Sequence, residues 1–407
     1  MPVARVPSTV SPARDAAAHA SGLRSIVIGL MGFLTLVDLF AAQAILPSLV
    51  EKYAVSPAAM GLAVNASTLG MAVSCLAVGL VSSRLDRRAG IWMSLVALAV
   101  PTALLAVAPG LGVFTALRLA QGVLMASAFT LTMAYLAEHS SGEGTARALA
   151  AYVTGVVASN LVGRMVSATV ADSLGLEANF VLFAGLNLAG ALLVVRNLDA
   201  MATMAVDEAR QASVIGEWRR HLCDRALRAA FAIGFLILFA FIGVFTYVNI
   251  VLVQNPIGLS QMSLGIVYLV FLPSMLTTPL AGAITLHLGP ARTTALGLSI
   301  AGLGLPLLLL VRLDAILAGM ALVAIGTFFA QAVATGFVGR RATGDRAAAS
   351  GLYLASYYLG GLTGAWLLGR MLEQRGWPAV VVGVAVALAL AGLASLRLAL
   401  PPSGPRE

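Results

Sequence analysis

Apolar and polar positions fall into long blocks along this chain. Apolar runs of about 20 residues, each able to cross a hydrocarbon layer of about 30 Å as a helix, recur from end to end. They lie near residues 25–48, 60–82, 90–109, 112–136, 147–171, 178–195, 229–254, 261–286, 292–311, 315–338, 347–369 and 377–399. The pattern predicts an all-α integral membrane protein with twelve spans. A closed β-barrel, the other spanning architecture, needs short alternating segments instead of continuous runs. The longest polar interruption runs from Arg196 to Arg228 and divides the chain into two six-span halves. The predicted organisation is a disordered cytoplasmic tail (1–22), a first bundle (23–196), a cytoplasmic linker (197–227), a second bundle (228–400) and a short cytoplasmic tail (401–407). The first apolar run is longer than a signal peptide's and does not end in a small-residue cleavage motif, so no cleavable signal is expected.

Composition agrees. The chain is 60% hydrophobic and 10% charged, with a mean hydropathy of +0.95, whereas soluble domains are about 25% charged. A net charge of +8 could suggest nucleic acid, but the basic residues are parcelled among loops. Membrane orientation explains them better. Placing the N-terminus in the cytoplasm puts 19 of the 25 Lys+Arg inside, which predicts that both termini are cytoplasmic. Cys75 lies in a span and Cys223 in the linker, an arrangement that argues against a disulfide or thiolate metal site. Trp218 among arginines suits a linker lying along lipid headgroups.

The halves echo each other. Gly79 to Arg88 follows the second span and Gly282 to Gly289 closes the eighth, as a duplicated six-helix unit predicts. The third, sixth, ninth and twelfth spans are the blandest and are expected to face lipid. Spans one, four, five, ten and eleven carry the polar, aromatic and small residues suited to a water-filled cavity.

Charged groups inside the membrane are few: Asp38, Arg118 and Arg164. An ionised carboxylate there costs about 2.5–3.5 kcal/mol on insertion scales, so Asp38 needs compensation. By helix rise, Asp38 and Arg118 lie within about one turn of each other in depth. The aspartate either titrates during function or forms a structural ion pair with Arg118. On the fourth span Gly122, Met125 and Phe129 fall on the side of Arg118, with Gln121 beside it. Arg164, near Asn160, either contacts substrate or snorkels to the outer interface. Gln43 points about 140° away from Asp38 on the first span and so belongs to a different wall. In the second half Tyr247, Asn249, Phe328, Gln331, Tyr353 and Tyr357 offer aromatic and hydrogen-bonding groups without charge, either lining a cavity or packing. The short loop containing Gly79, Arg84, Asp86, Arg87 and Arg88 is either a conformation-dependent latch on helix ends or plain topogenic charge. His19, His139, His221 and His287 are scattered, with no metal-ligand spacing, phosphate loop or nucleophile elbow, and no cofactor or enzymatic activity is implied.

At these residues the chain resembles the major facilitator superfamily. Asp38 through Pro47 is similar to its first-span signature, and Arg118-Leu119-Ala120-Gln121-Gly122 is similar to the fourth-span R-x-x-Q-G signature associated with proton coupling. Gly155 to Gly163 occupies the place of the antiporter motif without its proline and most of its glycines. Gly79 to Arg88 resembles the G-x-x-x-D-R-x-G-R-R/K loop, with Ser83 at the acidic position and Asp86 at the second glycine. Gly339-Arg340-Arg341-Ala342 and Ala349 to Gly360 resemble the YnfM-like bacterial inner-membrane permeases, described as drug or sugar efflux proteins. The resemblance implies two pseudo-symmetric six-helix bundles, a bacterial inner-membrane location, a monomer, and alternating-access transport of a small, amphipathic molecule with protons. Proton-coupled efflux is the leading expectation. An uptake symporter is the nearest alternative, and a non-transporting sensor or lipid-handling scaffold is a third.

Overall fold

The structure, a computed structural model of the chain, describes residues 12–81, 86–138, 143–199, 208–343 and 345–398, and every regular element among them is helical. In chain order these are α1 (Pro12–Ala44), α2 (Leu46–Tyr53), α3 (Pro57–Val81), α4 (Arg87–Leu104), α5 (Leu111–Glu138), α6 (Glu143–Asn197), α7 (Glu208–Cys223), α8 (Arg225–Val253), α9 (Gln261–Val267), α10 (Leu272–Thr277), α11 (Leu280–Gly304), α12 (Leu313–Arg341), α13 (Arg346–Arg375) and α14 (Trp377–Ser395). Among the described residues nine helical stretches are long and apolar enough to cross a membrane, and Met262–Thr277 is a shorter apolar one. Large apolar side chains such as Leu276, Leu286 and Leu396 are exposed, as befits a protein whose surroundings are hydrocarbon.

Local chemistry explains where the helices start and turn. Asp86 caps α4 by accepting the Arg88 N–H. Asp224 caps α8 and Asp345 caps α13 in the same way. Each satisfies donors that a helix start leaves orphaned. The expected spans 147–171 and 178–195 are the two arms of α6, which folds back at Gly175 (φ 89°, ψ 168°), a conformation open to glycine and strained for other residues. Gly289 (φ 76°) reverses α11 likewise. The expected continuous helix over 261–286 is instead interrupted: α9 leads through a 3₁₀ turn at Tyr268–Phe271 into α10, and α11 starts after Pro279. Pro273 and Pro279 lack the N–H that a continuous helix would use there. At the other end of the chain α1 begins at Pro12, within the stretch read as a disordered tail; a proline at the first helical position and the alanines after it suit a helix start.

The turns define two faces. One, the linker face, carries Asp86, α7 and Asp345. The other, the distal face, carries Ala54, Gly175, Pro256 and Gly376. Within each half, glycines bring backbones together. A Cβ at Gly155 would overlap the Gly29 carbonyl, one at Gly122 the Ser67 carbonyl, and one at Gly360 the Phe235 carbonyl. Small residues at crossings are how membrane helices gain packing without a hydrophobic driving force.

The halves meet along two seams. In one, α3 packs along α13, from Cys75 against Gly351 near the linker face to Ala58 against Gly369 near the distal face. In the other, Gly265 of α9 lies against Met165 and Ala168 of α6. Helix α7 is docked on the second half. The Asp345 N–H donates to Glu217 Oε2 (3.2 Å), His221 Nε2 lies 3.0 Å from the Asp345 carbonyl, and Arg341 donates to Asp224 Oδ2 at 2.9 and 3.1 Å.

Candidate functional site

Two polar clusters are buried in the helices, and they are separate. The first surrounds Asp38 inside the first half. Asn187, on the second arm of α6, donates from Nδ2 to Asp38 Oδ2 (2.8 Å) and to Thr102 Oγ1 of α4 (3.1 Å). The Thr102 hydroxyl stands 3.3 Å from Asp38 Oδ2 and 2.8 Å from the Leu98 carbonyl, so its single proton serves one or the other. Gln121 continues the chain, donating from Nε2 to Thr102 Oγ1 (2.7 Å). Asp38 Oδ1 and Asn187 Oδ1 have no hydrogen-bond partner.

Arg118 ends this chain, but its contacts differ from those expected. It donates through Nη1 to the main-chain carbonyl of Asp38 (3.2 Å) rather than to the carboxylate. Its other donors reach Gln121 Oε1 (2.8 Å), the carbonyls of Leu39 (3.0 Å) and Val64 (2.8 Å), and Ser67 Oγ (3.0 Å). A guanidinium has five N–H groups, and here each meets an oxygen. Arg118 thereby ties α1, α3 and α5 together. Depth along two helices brought these residues near each other; it could not specify that the main chain, not the carboxylate, faces the arginine.

The second cluster spans the seam between the halves, toward the distal face. Arg164 of α6 is fully buried, which rules out snorkelling. Its Nη2 donates to Gln43 Oε1 (2.7 Å). Gln43 in turn donates to Asn65 Oδ1 (2.6 Å), while the Gln43 carbonyl accepts from Asn249 Nδ2 of the second half (2.7 Å). Tyr268 donates to Asn249 Oδ1 (2.8 Å), and Asn65 reaches Thr246 at 3.3 Å. Around the guanidinium stand five rings, Phe40, Phe241, Phe245, Tyr268 and Phe271, with centroids 4.7–5.8 Å from Cζ. Arg164 Nε and Nη1 have no hydrogen-bond partner.

The remaining predicted residues divide among several places. Asn160, one turn before Arg164, is buried with Oδ1 unpartnered. Phe328 joins the aromatic group through Phe241 (5.4 Å) and Phe271 (6.0 Å). Tyr247 is wedged between Gly61 and Gly369 and donates to the Ala365 carbonyl, a packing position at the α3–α13 seam. Met125 is buried and Phe129 packs on Tyr152 (5.7 Å) within the first half. Tyr353 and Tyr357 stack at 6.3 Å toward the linker face, away from Arg164 and on the half that also carries half-buried Gln331. In the loop, Gly79 ends up in the last turns of α3 and Arg84 lies outside the described residues. Asp86 caps its helix and Arg88 donates to the Val195 carbonyl (2.6 Å), a helix-end contact within the first half; Arg87 also has partners.

Several residues escaped sequence reasoning. Thr102 and Asn187 sit in spans dismissed as bland, and their polarity inside apolar runs was the available signal. Asn65 carried the same signal in the second span; Tyr268 and the phenylalanines gave none, because composition does not say which rings converge.

Comparison with known proteins fits this architecture. The profile of the Major Facilitator Superfamily matches residues 28–275, more than half of the chain. The Inner membrane transport protein YnfM of Escherichia coli (strain K12) is 28% identical over 367 residues, 90% of this chain and 88% of that protein. The Uncharacterized MFS-type transporter YybF of Bacillus subtilis (strain 168) is 26% identical over 374 residues, 91% of this chain and 93% of that one. Among solved structures, a bacterial homolog to the human lysosomal transporter Spinster, in an inward-facing and unoccupied conformation, superposes with a TM-score of 0.73 at 14% identity, covering 94% of this chain and 99% of that one. The nucleoside transporter NupG superposes with a TM-score of 0.71 at 14% identity, covering 93% and 99%. The helices, their seam and these similarities together establish that the chain belongs to the major facilitator superfamily.

Proposed function

We propose that this protein is a proton-coupled secondary transporter of the bacterial inner membrane, moving a small amphipathic molecule outward by alternating access. In this reading α6, the α9-to-α11 stretch and α13 complete twelve spans, in two bundles of six. The linker face is cytoplasmic, in keeping with the positive-inside rule, and with a relative named as an inner membrane transport protein. The observation that carries the proposal is the buried polar cluster shared by the halves. Gln43 and Arg164 come from one bundle, Asn249 and Tyr268 from the other. Few direct hydrogen bonds hold the two sides there, so a rocking motion of one bundle against the other exposes polar groups that a static scaffold would keep apolar.

Asp38 is the proton carrier in this scheme. Its Oδ1 has no partner, so a proton can be received there without breaking the Asn187 bond to Oδ2. Arg118 grips the main chain at Asp38 and Leu39. It passes a local rearrangement at the carboxyl to α3 and α5, and through α3 to α13. Efflux requires a proton to enter from the distal side and leave toward the linker side while substrate moves the other way.

The test is purified protein in proteoliposomes carrying an internal pH dye. Asp38→Asn is expected to keep the wild-type fold and melting profile and to lose substrate-driven proton movement. Wild-type proton flux in that variant overturns Asp38 as the carrier; counterflow with substrate and protons moving in the same direction overturns efflux in favour of uptake.

A further inference from the structure

We infer that the seam cluster is an anion site and that the transported molecule is an organic monoanion, a single carboxylate on an apolar or aromatic body, held by Arg164. This rests on the transporter reading above and adds to it the chemical class of the substrate.

The argument starts from an imbalance. Arg164 is fully buried and forms no ion pair among the described residues. The intramembrane carboxylate nearest in sequence logic, Asp38, belongs to the other cluster. The side chains that do approach Arg164 are neutral. Gln43 satisfies one direction and the Tyr268 hydroxyl adds an uncharged oxygen beside the guanidinium, while Nε and Nη1, which carry three of the five N–H groups, are without a hydrogen-bond partner. Ring faces attract a cation electrostatically but fill none of its in-plane hydrogen bonds. A buried cation left with free donors is an unsatisfied arrangement that an incoming anion completes.

The shape of the deficit names the ligand. A guanidinium's planar fork matches a carboxylate. One cation serves one negative charge: the other polar groups at the seam, Asn65, Thr246, Asn249 and Tyr268, are uncharged, so a dianion would carry a second charge without compensation. Asn160 Oδ1 and Ser167 Oγ, on the same face of α6 one turn to either side of Arg164, are buried and also unpartnered. They extend the polar strip on which a head group can be oriented. The five rings supply an apolar wall for the rest of the molecule. Four of them belong to the second half, so they withdraw from Arg164 when the bundles separate.

The experiment uses the full-length protein in detergent and three carboxylates, benzoate, 4-phenylbutyrate and octanoate, each beside the amide and the amine of the same skeleton. Binding is read by titration calorimetry and by ligand-induced shift of the melting temperature. Carboxylates are expected to bind at least about tenfold more tightly than their amides, the equivalent of one charge-assisted hydrogen bond, and the amines not at all. Arg164→Lys is expected to weaken carboxylate binding by about tenfold or more through loss of the fork, and Arg164→Gln to abolish it. Gln43→Glu supplies a reading that does not depend on the folding of Arg164→Gln. It puts a built-in carboxylate 2.7 Å from Nη2 and gives up the Gln43 N–H donated to Asn65 Oδ1. Carboxylate binding is expected to be lost while the variant still melts cooperatively.

Amines binding as well as carboxylates, or unchanged carboxylate binding in Gln43→Glu, each overturns the inference. Amine-driven proton flux that needs Asp38 would overturn the anion site and leave the transporter standing. Carboxylate binding without any ligand-driven proton flux would leave the site and overturn proton-coupled transport.

Discussion

Replacing Arg118 by lysine separates two roles that a buried arginine in a transporter can have. If its task is to supply positive charge near Asp38, lysine preserves that charge. If its task is to join helices, lysine fails, because an ammonium has three N–H groups and the site presents five acceptors. Those acceptors are the carbonyls of Asp38, Leu39 and Val64, Gln121 Oε1 and Ser67 Oγ. At least two of them lose their donor. A buried group left unsatisfied costs about 1–3 kcal/mol. The three carbonyls also lie within helices, which puts their cost at the low end. Arg118→Lys is therefore expected to destabilise the first half by about 2 kcal/mol or more.

A built-in reporter makes this measurable. Cys75 is buried in α3 and Cys223 is exposed, so in a Cys223→Ser background a thiol-reactive fluorophore reports unfolding through Cys75 alone. The lysine variant should melt well below its parent at neutral pH. It should also retain some proton-driven transport at low temperature, where it is still folded. An unchanged melting temperature with transport fully retained would refute the clamp and restore an electrostatic role.

Other outcomes follow from the packing and the linker. Gly122→Ala drives a Cβ into the Ser67 carbonyl and is expected to cost about 1–3 kcal/mol in melting experiments, whereas Gly392→Ala enters open space and is expected to be neutral or slightly stabilising; equal melting of the two would mean that the α3–α5 contact is not close. Asp224→Asn keeps the α8 cap and loses the pair with Arg341, at about 0.2–1 kcal/mol, and Asp224→Ala adds about 1 kcal/mol for the lost cap, which denaturation series of the three proteins would resolve. Partial burial pushes the Asp224 carboxyl up, but the Leu227 N–H, Arg341 and the Ala226 N–H outweigh it and hold it below the usual carboxylate range. A depressed folded value means that this contribution is complete above the unfolded value of about 3.9 and is lost as pH falls through the folded value. Hydrogen exchange of the first turn of α8 should keep its protection down to about pH 4 and lose it below; loss already at pH 5–6 would contradict the assignment.

The all-helical, membrane-spanning class was legible because it depends on the length of apolar runs, which a single chain carries. Gly175 illustrates the limit. The expected break between 171 and 178 was found, yet its sharpness comes from a backbone conformation that no hydropathy window contains. The interrupted stretch after Gln261 was missed because its residues are apolar throughout; only Pro273 and Pro279 marked the departure. At the sites, the angle between Asp38 and Gln43 on one helix correctly assigned them to different surroundings. What those surroundings were depended on helices far along the chain. Asn187 and Thr102 reach Asp38 from spans whose average character is lipid-facing, and Tyr268 reaches Asn249 from a span with no charge at all.

The two buried arginines make the remaining argument. They are the same side chain at the same burial in the same half, yet Arg118 meets five oxygens and Arg164 leaves Nε and Nη1 empty. Glutamate at position 43 is isosteric with the glutamine present and would sit within hydrogen-bonding distance of the guanidinium. A neutral amide orients the arginine without neutralising it, and the rings steady the charge without occupying its donors. Such a site is incomplete in the resting protein by construction. Its completion by a ligand, and the cost of leaving it incomplete, are what couple occupancy to the contact between the two bundles.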